Sequence, residues 1–439
     1  MLGFLTACVS LGLAFAVSEL LLRVVYRDGG TTTLGGPGGY PFTHTYIPGT
    51  MQRGPLASGA KPPGVQRLLI VGDSITWGDG VAEWTDTYPV RLLTALNAGT
   101  PPHYDMAVHA YPGREIHHHA TELAATVAAV QPDLVVYQWF HNDVEIAKDR
   151  RPDPTRAWQQ APSHHWLRRH SYLYFVLDFA IGRVLPGPGR DYLAYMEADF
   201  APDTPGWRDF ARAFHSFAAY ATGHAARTIL MLYPATPPAT LADLRTRVAA
   251  LAPGQVVRAA PQDMHHPVGR LLPDGSAISA RPGAPAGRLA YSPAMPLARG
   301  TYRAAVALRL DAPADGPVAL VRVTAGPESR QLAAIEVSAA DLAPDGAWTS
   351  VAVPFEVSDA TAPQVVIHVE HRFGAVFSAG AIELPVHYGI EVLDLAPLLA
   401  GRETAASRFD AHPNAATHAL MADALSEAIR RAPVPGSRR

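Results

Sequence analysis

Residues 67–83 read RLLIVGDSITWGDGVAE: an apolar run, Leu68 to Val71, stops at Gly72-Asp73-Ser74 and gives way to a polar stretch punctuated by glycine. A buried strand that ends on serine delivers a hydroxyl to the carboxyl edge of a sheet, where open parallel sheets gather their ligands. If a helix starts at Ser74, the N–H groups of its first turn point the same way as the hydroxyl, which suits a nucleophile beside an oxyanion site. The same three residues also make an ordinary turn and helix cap. A base within reach separates the two readings, and the rest of the chain has to supply it.

Outward from this stretch, strand-like and helix-like blocks alternate. The pattern predicts strands at Arg67 to Val71, His103 to Val108, Leu134 to Phe140, Thr228 to Tyr233 and Gly389 to Leu393. It predicts helices at Tyr88 to Asn97, Glu115 to Val130, Gly206 to Arg227, Ala239 to Leu251 and Ala415 to Arg431. Such alternation calls for a parallel sheet covered by helices on both faces. Between Pro253 and about Pro385 the rhythm changes to short β-branched segments separated by Asp, Pro and Gly, the signature of an all-β sandwich. Because the strand at Gly389 resumes the α/β pattern, the sandwich is an insertion. The expected organisation is therefore an anchor over 1–27, a linker over 28–66, an α/β domain in two parts over 67–252 and 387–432, the insert over 253–386, and a tail over 433–439.

The base is found near the other end, in Arg408-Phe409-Asp410-Ala411-His412-Pro413-Asn414, just before the last predicted helix. A neutral imidazole takes a serine proton when a carboxylate fixes its tautomer and stabilises the imidazolium that forms. Asp410 and His412 are close enough for one loop to present both.

With Ser74 and His412 in place, four blocks in order, IVGDSITWGDGV, AYPG, WFHND and DAHPN, resemble the signature blocks of the SGNH hydrolase superfamily, also called GDSL esterases and lipases. The resemblance covers roughly Arg67 to Leu251 and Gly389 to Ala428 and leaves the insert outside it. It implies a flavodoxin-like three-layer α/β/α fold, with Ser74 as nucleophile, His412 as base and Asp410 as the orienting acid. It also implies an oxyanion hole made by the N–H of Ser74, the N–H of Gly113 and the carboxamide of Asn142. A carboxamide donates without ionising, and a glycine lets an acyl group approach its N–H. Two departures stand out. The third block commonly carries glycine before its Asn, where this chain has Phe140 and His141; His141 is a candidate substrate contact. The last block is commonly D-x-x-H, whereas this chain has D-x-H, a form similar to that of some polysaccharide O-acetyltransferases; Asp143 is the fallback acid.

The expected function is a serine esterase that cleaves acyl esters, acetyl foremost, through an acyl-serine intermediate, on a small molecule or a polysaccharide. Three alternatives accompany it: a polysaccharide O-acetyltransferase, a lipase or thioesterase with apolar Tyr172 to Val184 as a lid, and a non-catalytic glycan-binding protein. The insert's RGTYRAAVALRL and AWTSVAVPFEV look similar to jelly-roll, carbohydrate-binding-like modules. Tyr302, Trp348 and Phe355 are expected in its core, and Phe373 and Phe377 on a sugar-stacking surface.

Composition excludes other classes. The chain has 439 residues, 48% hydrophobic, with a formal net charge of −3, so there is no basic field for nucleic acid. Its single cysteine, Cys8, lies in the N-terminal apolar run, which excludes an intrachain disulfide and a cysteine nucleophile in the folded body. His117-His118-His119 opens a helix, where neighbouring side chains point to different faces, so no metal site and no cofactor is expected. Leu2 to Val25 is about long enough to span a bilayer and reads as an uncleaved anchor, with a cleaved signal or a lipobox at Cys8 as alternatives. A body outside the cytoplasm suits a polysaccharide substrate, whereas Arg23 and Arg27 after the span pull it inward.

Overall fold

Strand β1, Val65–Gly72, sends Leu68 and Ile70 to one face and Leu69 and Val71 to the other, and all four are fully buried. Burial on both faces is what a parallel strand between helical layers requires. The computed structural model describes residues 2–25, 44–57, 59–99, 103–145, 161–184, 192–235, 239–359, 362–372, 374–407 and 410–431.

In chain order the first part comprises α1 (Leu2–Val25), β1, α2 (Ser74–Trp77), α3 (Tyr88–Asn97), β2 (His103–Ala110), α4 (Ile116–Val130) and β3 (Leu134–Trp139). There follow α5 (Pro162–His170), α6 (Tyr172–Val184), α7 (Tyr192–Asp199), α8 (Pro205–His224), β4 (Arg227–Leu232) and α9 (Ala242–Leu251). The insert supplies β5 (Gly254–Ala259), β6 (Arg270–Leu271), β7 (Ile278–Ser279), β8 (Gly287–Tyr291), β9 (Met295–Pro296) and β10 (Gly300–Leu310). It continues with β11 (Pro317–Ala325), β12 (Arg330–Ser338), β13 (Thr349–Val357), β14 (Gln364–His371) and β15 (Phe377–His387). The chain closes with β16 (Glu391–Asp394), α10 (Ala396–Leu399), β17 (Ala405–Ser407), β18 (Asp410–Pro413) and α11 (Ala415–Arg431).

The central sheet has the order β16-β4-β3-β1-β2 with every neighbouring pair parallel. This is a doubly wound order whose switch point falls between β1 and β3, so a crevice opens beside the end of β1. On one face Leu68 and Ile70 pack with Tyr88 and Leu92 of α3 and with Met421 and Leu425 of α11. On the other, Leu69 and Val71 pack with Leu123 and Val127 of α4 and with Phe214 and Phe217 of α8.

The insert is a two-sheet sandwich, β13-β10-β15-β7-β6 with β5 on β15, facing β12-β11-β14-β8 with β9 on β14. Its root lies at the amino ends of the parallel strands. Tyr388 N–H donates to Pro253 O and Ile390 N–H to Ala252 O, closing the two crossings against each other. From there β16 pairs Glu391 with Ile229, near the start of β4. The sandwich therefore springs from the edge opposite Ser74, about 26 Å away along a strand of 8 residues. It is not a separate body: Phe210, Phe214 and Ala252 belong to the same core cluster as Met264, Leu289 and Val306.

Three expectations need correction. Tyr302 and Phe355 do stack in the sandwich core at 5.5 Å. Trp348 does not: it precedes β13, lies 42% exposed against Gly380, and carries the Arg309 guanidinium 4.8 Å over its ring. Phe377 is fully buried as the first residue of β15 and offers no stacking surface; Phe373 lies outside the described residues. The expected membrane helix finds no support, since among the described residues no helix is long and apolar enough to cross a membrane. Instead the later part of α1 docks on α6. Glu19 accepts hydrogen bonds from Ser171 Oγ, Tyr172 N and Leu173 N at 2.9, 3.0 and 2.9 Å, capping α6, and pairs with Arg23.

Candidate active site

At the carboxyl edge the register brings the sequence blocks together. Gly72 pairs with Ala110 and Val71 with Tyr137, so the loops after β1, β2 and β3 leave the sheet side by side. These loops carry Ser74, Gly113 and Asn142.

Ser74 is the first residue of α2, a single turn capped by Asp73, whose Oδ1 accepts the Ile75 N–H at 2.9 Å. The turn is fixed from inside the sheet. Thr76 Oγ1 lies 2.9 Å from Tyr88 Oη and donates to Gln138 Oε1 at 2.8 Å. Gly72 is glycine because a Cβ there would meet Thr76 Oγ1 at 2.1 Å. The turn ends at Gly78, in the left-handed region with φ 91°, where a side chain would be strained.

His412, the base expected from the sequence, arrives from the far end of the chain on β18, which pairs with β17 as a short hairpin. His412 Nε2 lies 2.8 Å from Ser74 Oγ. Ser74 is 8% exposed. Asn414, the last residue of the DAHPN block, holds the hairpin in place. Its Oδ1 accepts the Thr417 N–H at 2.9 Å, capping α11, while its Nδ2 donates to Glu403 O and Ala405 O. The backbone of Asp410 pairs with Ser407 in this hairpin; its carboxylate lies outside the described side chains.

Gly113 sits between β2 and α4 with φ 79°, which favours glycine, and a Cβ there would meet nothing within 4 Å. The loop is braced by Glu122, which accepts from His109 Nε2 at 2.8 Å and pairs with Arg114. The Arg114 guanidinium lies 5.2 Å over the Tyr111 ring. Asn142 lies in a one-turn 3-10 helix after β3, and its Oδ1 is buried with no partner among the described residues. No hydrogen bond of its Nδ2, the group that could donate to an oxyanion, occurs among the described residues either. Asp143, the fallback acid, accepts the Phe140 N–H at 2.8 Å and so caps this turn. His141 lies with its ring centroid 3.9 Å from that of Phe140. Within the histidine triplet, His118 pairs with Glu115 at 2.7 Å, while His119 is buried, and burial pushes its pKa down to about 3. Among the described residues no group of three metal-ligating side chains occurs.

Sequence reasoning missed four residues here. Asp79 Oδ2 stands 3.7 Å from His412 Nε2. Gly80 permits the His412 strand to approach, since a Cβ there would meet Pro413 O at 2.0 Å. The stretch expected to be linker forms, from His44 on, a strap over the nucleophile loop. His44 meets the Trp77 ring edge-on at 4.9 Å, with Nε2 3.1 Å from Asp79 O. Arg53, 1% exposed, donates to the carbonyls of Gly78, Val81 and Ala82 at 2.5, 2.7 and 2.9 Å. The signal available for this was the glycine spacing in WGDG, which marks a backbone that something approaches closely.

No family model and no curated protein sequence matches this chain. Among solved structures, one titled crystal structure of TesA is similar at 18% identity over 43% of this chain and 73% of that one, with a TM-score of 0.25. The acetylxylan esterase Axe2 from Geobacillus stearothermophilus is similar at 18% identity over 44% of this chain and 72% of its own, with a TM-score of 0.24. A carbohydrate-binding module from Cellvibrio mixtus lichenase 5A is similar at 9% identity over 29% of this chain and 95% of its own, with a TM-score of 0.22.

Proposed function

We propose that this chain is a serine esterase of the SGNH type that cleaves acyl esters, acetyl foremost, through an acyl-Ser74 intermediate. The observation that carries the reading is the 2.8 Å separation of His412 Nε2 from Ser74 Oγ. At that distance the imidazole takes the hydroxyl proton as Oγ attacks the ester carbonyl, and then returns it to the departing alkoxide. The N–H groups of Ser74 and Gly113 and the Asn142 carboxamide face the oxyanion that develops, and losing one such donor costs about 3 kcal/mol of transition-state stabilisation. Asp410 orients His412 from the same hairpin.

The proposed substrate is an acylated polysaccharide or small molecule, met at a lipid surface outside the cytoplasm. In support of a surface association, Val9, Leu11, Leu13, Phe15, Leu20 and Val24 of α1 are all at least half exposed and offer apolar side chains to whatever they meet. Incubating the full chain with a fluorophosphonate and mapping the adduct tests the nucleophile. Labelling at Ser74, abolished in Ser74→Ala and slowed at least about a hundredfold in His412→Ala, is the expected result. Labelling at another residue, or none in the folded protein, overturns the reading.

A further inference from the structure

From the placement of Asp79 we infer that its carboxylate accepts the second O–H of the water that deacylates Ser74, and so biases the acyl-enzyme toward hydrolysis over transfer to an alcohol. This rests on the acyl-Ser74 chemistry proposed above.

The geometry is specific to the second half of the reaction. Among the described residues His412 Nε2 lies 2.8 Å from Ser74 Oγ and 3.7 Å from Asp79 Oδ2. While Ser74 is free, its own hydroxyl supplies the proton that Nε2 takes, and an incoming ester brings no O–H to Asp79. Once Oγ is esterified it has no proton, and Nε2 turns to the nucleophile that attacks the acyl carbon. There are positions for an oxygen about 2.8 Å from both Nε2 and Oδ2, since two such sides close a triangle on the 3.7 Å base.

Water fits that vertex with one O–H to each partner. Its oxygen bonds to the acyl carbon, one proton passes to Nε2, the C–Oγ bond breaks, and Oγ takes the proton back from the imidazolium as the free acid leaves. A simple alcohol has a single O–H, which Nε2 needs, so it gains nothing from Asp79.

The carboxylate is held where this requires it. Asp79 N–H donates to Ser74 O at 3.0 Å, tying its backbone to the nucleophile residue. On one side Gly78 turns the chain at φ 91°, and on the other Gly80 lies against the backbone of Pro413. The side chain is 13% exposed.

The test is the partition of the acyl-enzyme between water and methanol, read on the full chain with an activated aryl acetate as the ratio of methyl acetate to acetate formed. Asp79→Asn keeps the shape and loses the anionic acceptor. In it the ratio is expected to rise about tenfold or more, while the rate of fluorophosphonate labelling at Ser74 stays within about twofold of wild type. An unchanged ratio overturns the inference, as does labelling slowed in parallel with turnover, which would place Asp79's effect on His412 in both half-reactions. Asp79→Ala, which demands no new contact, is read in the same way. Loss of labelling in both variants also overturns it, by making Asp79 part of the nucleophile's scaffold. Failure of the wild-type chain to label at Ser74 would instead remove the esterase reading itself, a result distinct from all of these.

Discussion

At the scale of single residues, the site depends on close backbone approaches as much as on its reactive groups. Gly80 is the clearest case: any Cβ at this position lies 2.0 Å from Pro413 O and 3.1 Å from the His412 carbonyl carbon, so the hairpin has to move. Gly80→Ala is expected to lower kcat/KM on an aryl acetate about a hundredfold while leaving most of the fold's stability intact, because a shift of an ångström at the base is enough. Turnover and thermal unfolding of the same sample check this, and near-normal turnover would mean that the hairpin gives way elsewhere. The pair that the structure brings together, Ser74 and His412, was legible in the sequence because the residue types and their order are distinctive, with serine at a strand end and histidine before the last helix. Asp79 was not legible, because a carboxylate five positions after Ser74 acquires its meaning only once β18 has brought His412 beside it.

At the scale of elements, the sheet was legible from alternation of apolar runs, and its helices from their spacing. The strap over residues 44–57 was not, because it has neither period and holds itself by a buried guanidinium on three carbonyls. Arg53→Ala removes the guanidinium from all three carbonyls, of which Gly78 O keeps the Val81 N–H and Ala82 O the Thr45 N–H, and is expected to cost about 2 kcal/mol of stability. Turnover should fall with it, since Gly78 and Val81 bracket the Asp79-Gly80 segment that meets Asp79's and His412's shared ground. Denaturant midpoints and steady-state rates of the full chain check this; an unchanged midpoint would show that the strap is not part of the fold's scaffold. Glu19 gives a parallel lesson in α1. An acid in an apolar run reads as a flaw in an anchor, and its purpose appears only with the α6 N-terminus against it.

At the scale of the whole molecule, the sandwich was legible as an insertion, but its side of the sheet was not, because that depends on which way α9 and β16 run. Its root lies at the amino edge, a strand's length of about 26 Å from Ser74. The shared core of α8, α9 and the sandwich predicts a single calorimetric unfolding transition for the two parts; two resolved transitions would contradict it. Buried histidines set the pH dependence of that stability. Burial first, then the nearby charges of Arg53 and Arg91, pushes His418 down from 6.5 to about 3, and burial brings His215 to about 4. Between about 6.5 and these values the unfolded chain binds protons that the folded chain refuses, so stability is full above that window and is lost as the pH falls through it. His418→Asn keeps an acceptor for the Tyr88 N–H, and its deficit in melting temperature against wild type should shrink between about pH 7 and pH 5. A deficit that is constant across that range would place the pH dependence elsewhere. The central claim, that ester cleavage passes through a covalent bond to the serine at the end of β1, is tested most directly by rapid acid quench during turnover of an activated acetyl ester, followed by peptide mapping. The account predicts an acetyl group on Ser74 that decays as acetate appears; steady release of acetate with no acetylated Ser74 at any quench time, in the wild-type chain and in Asp79→Asn alike, would contradict it.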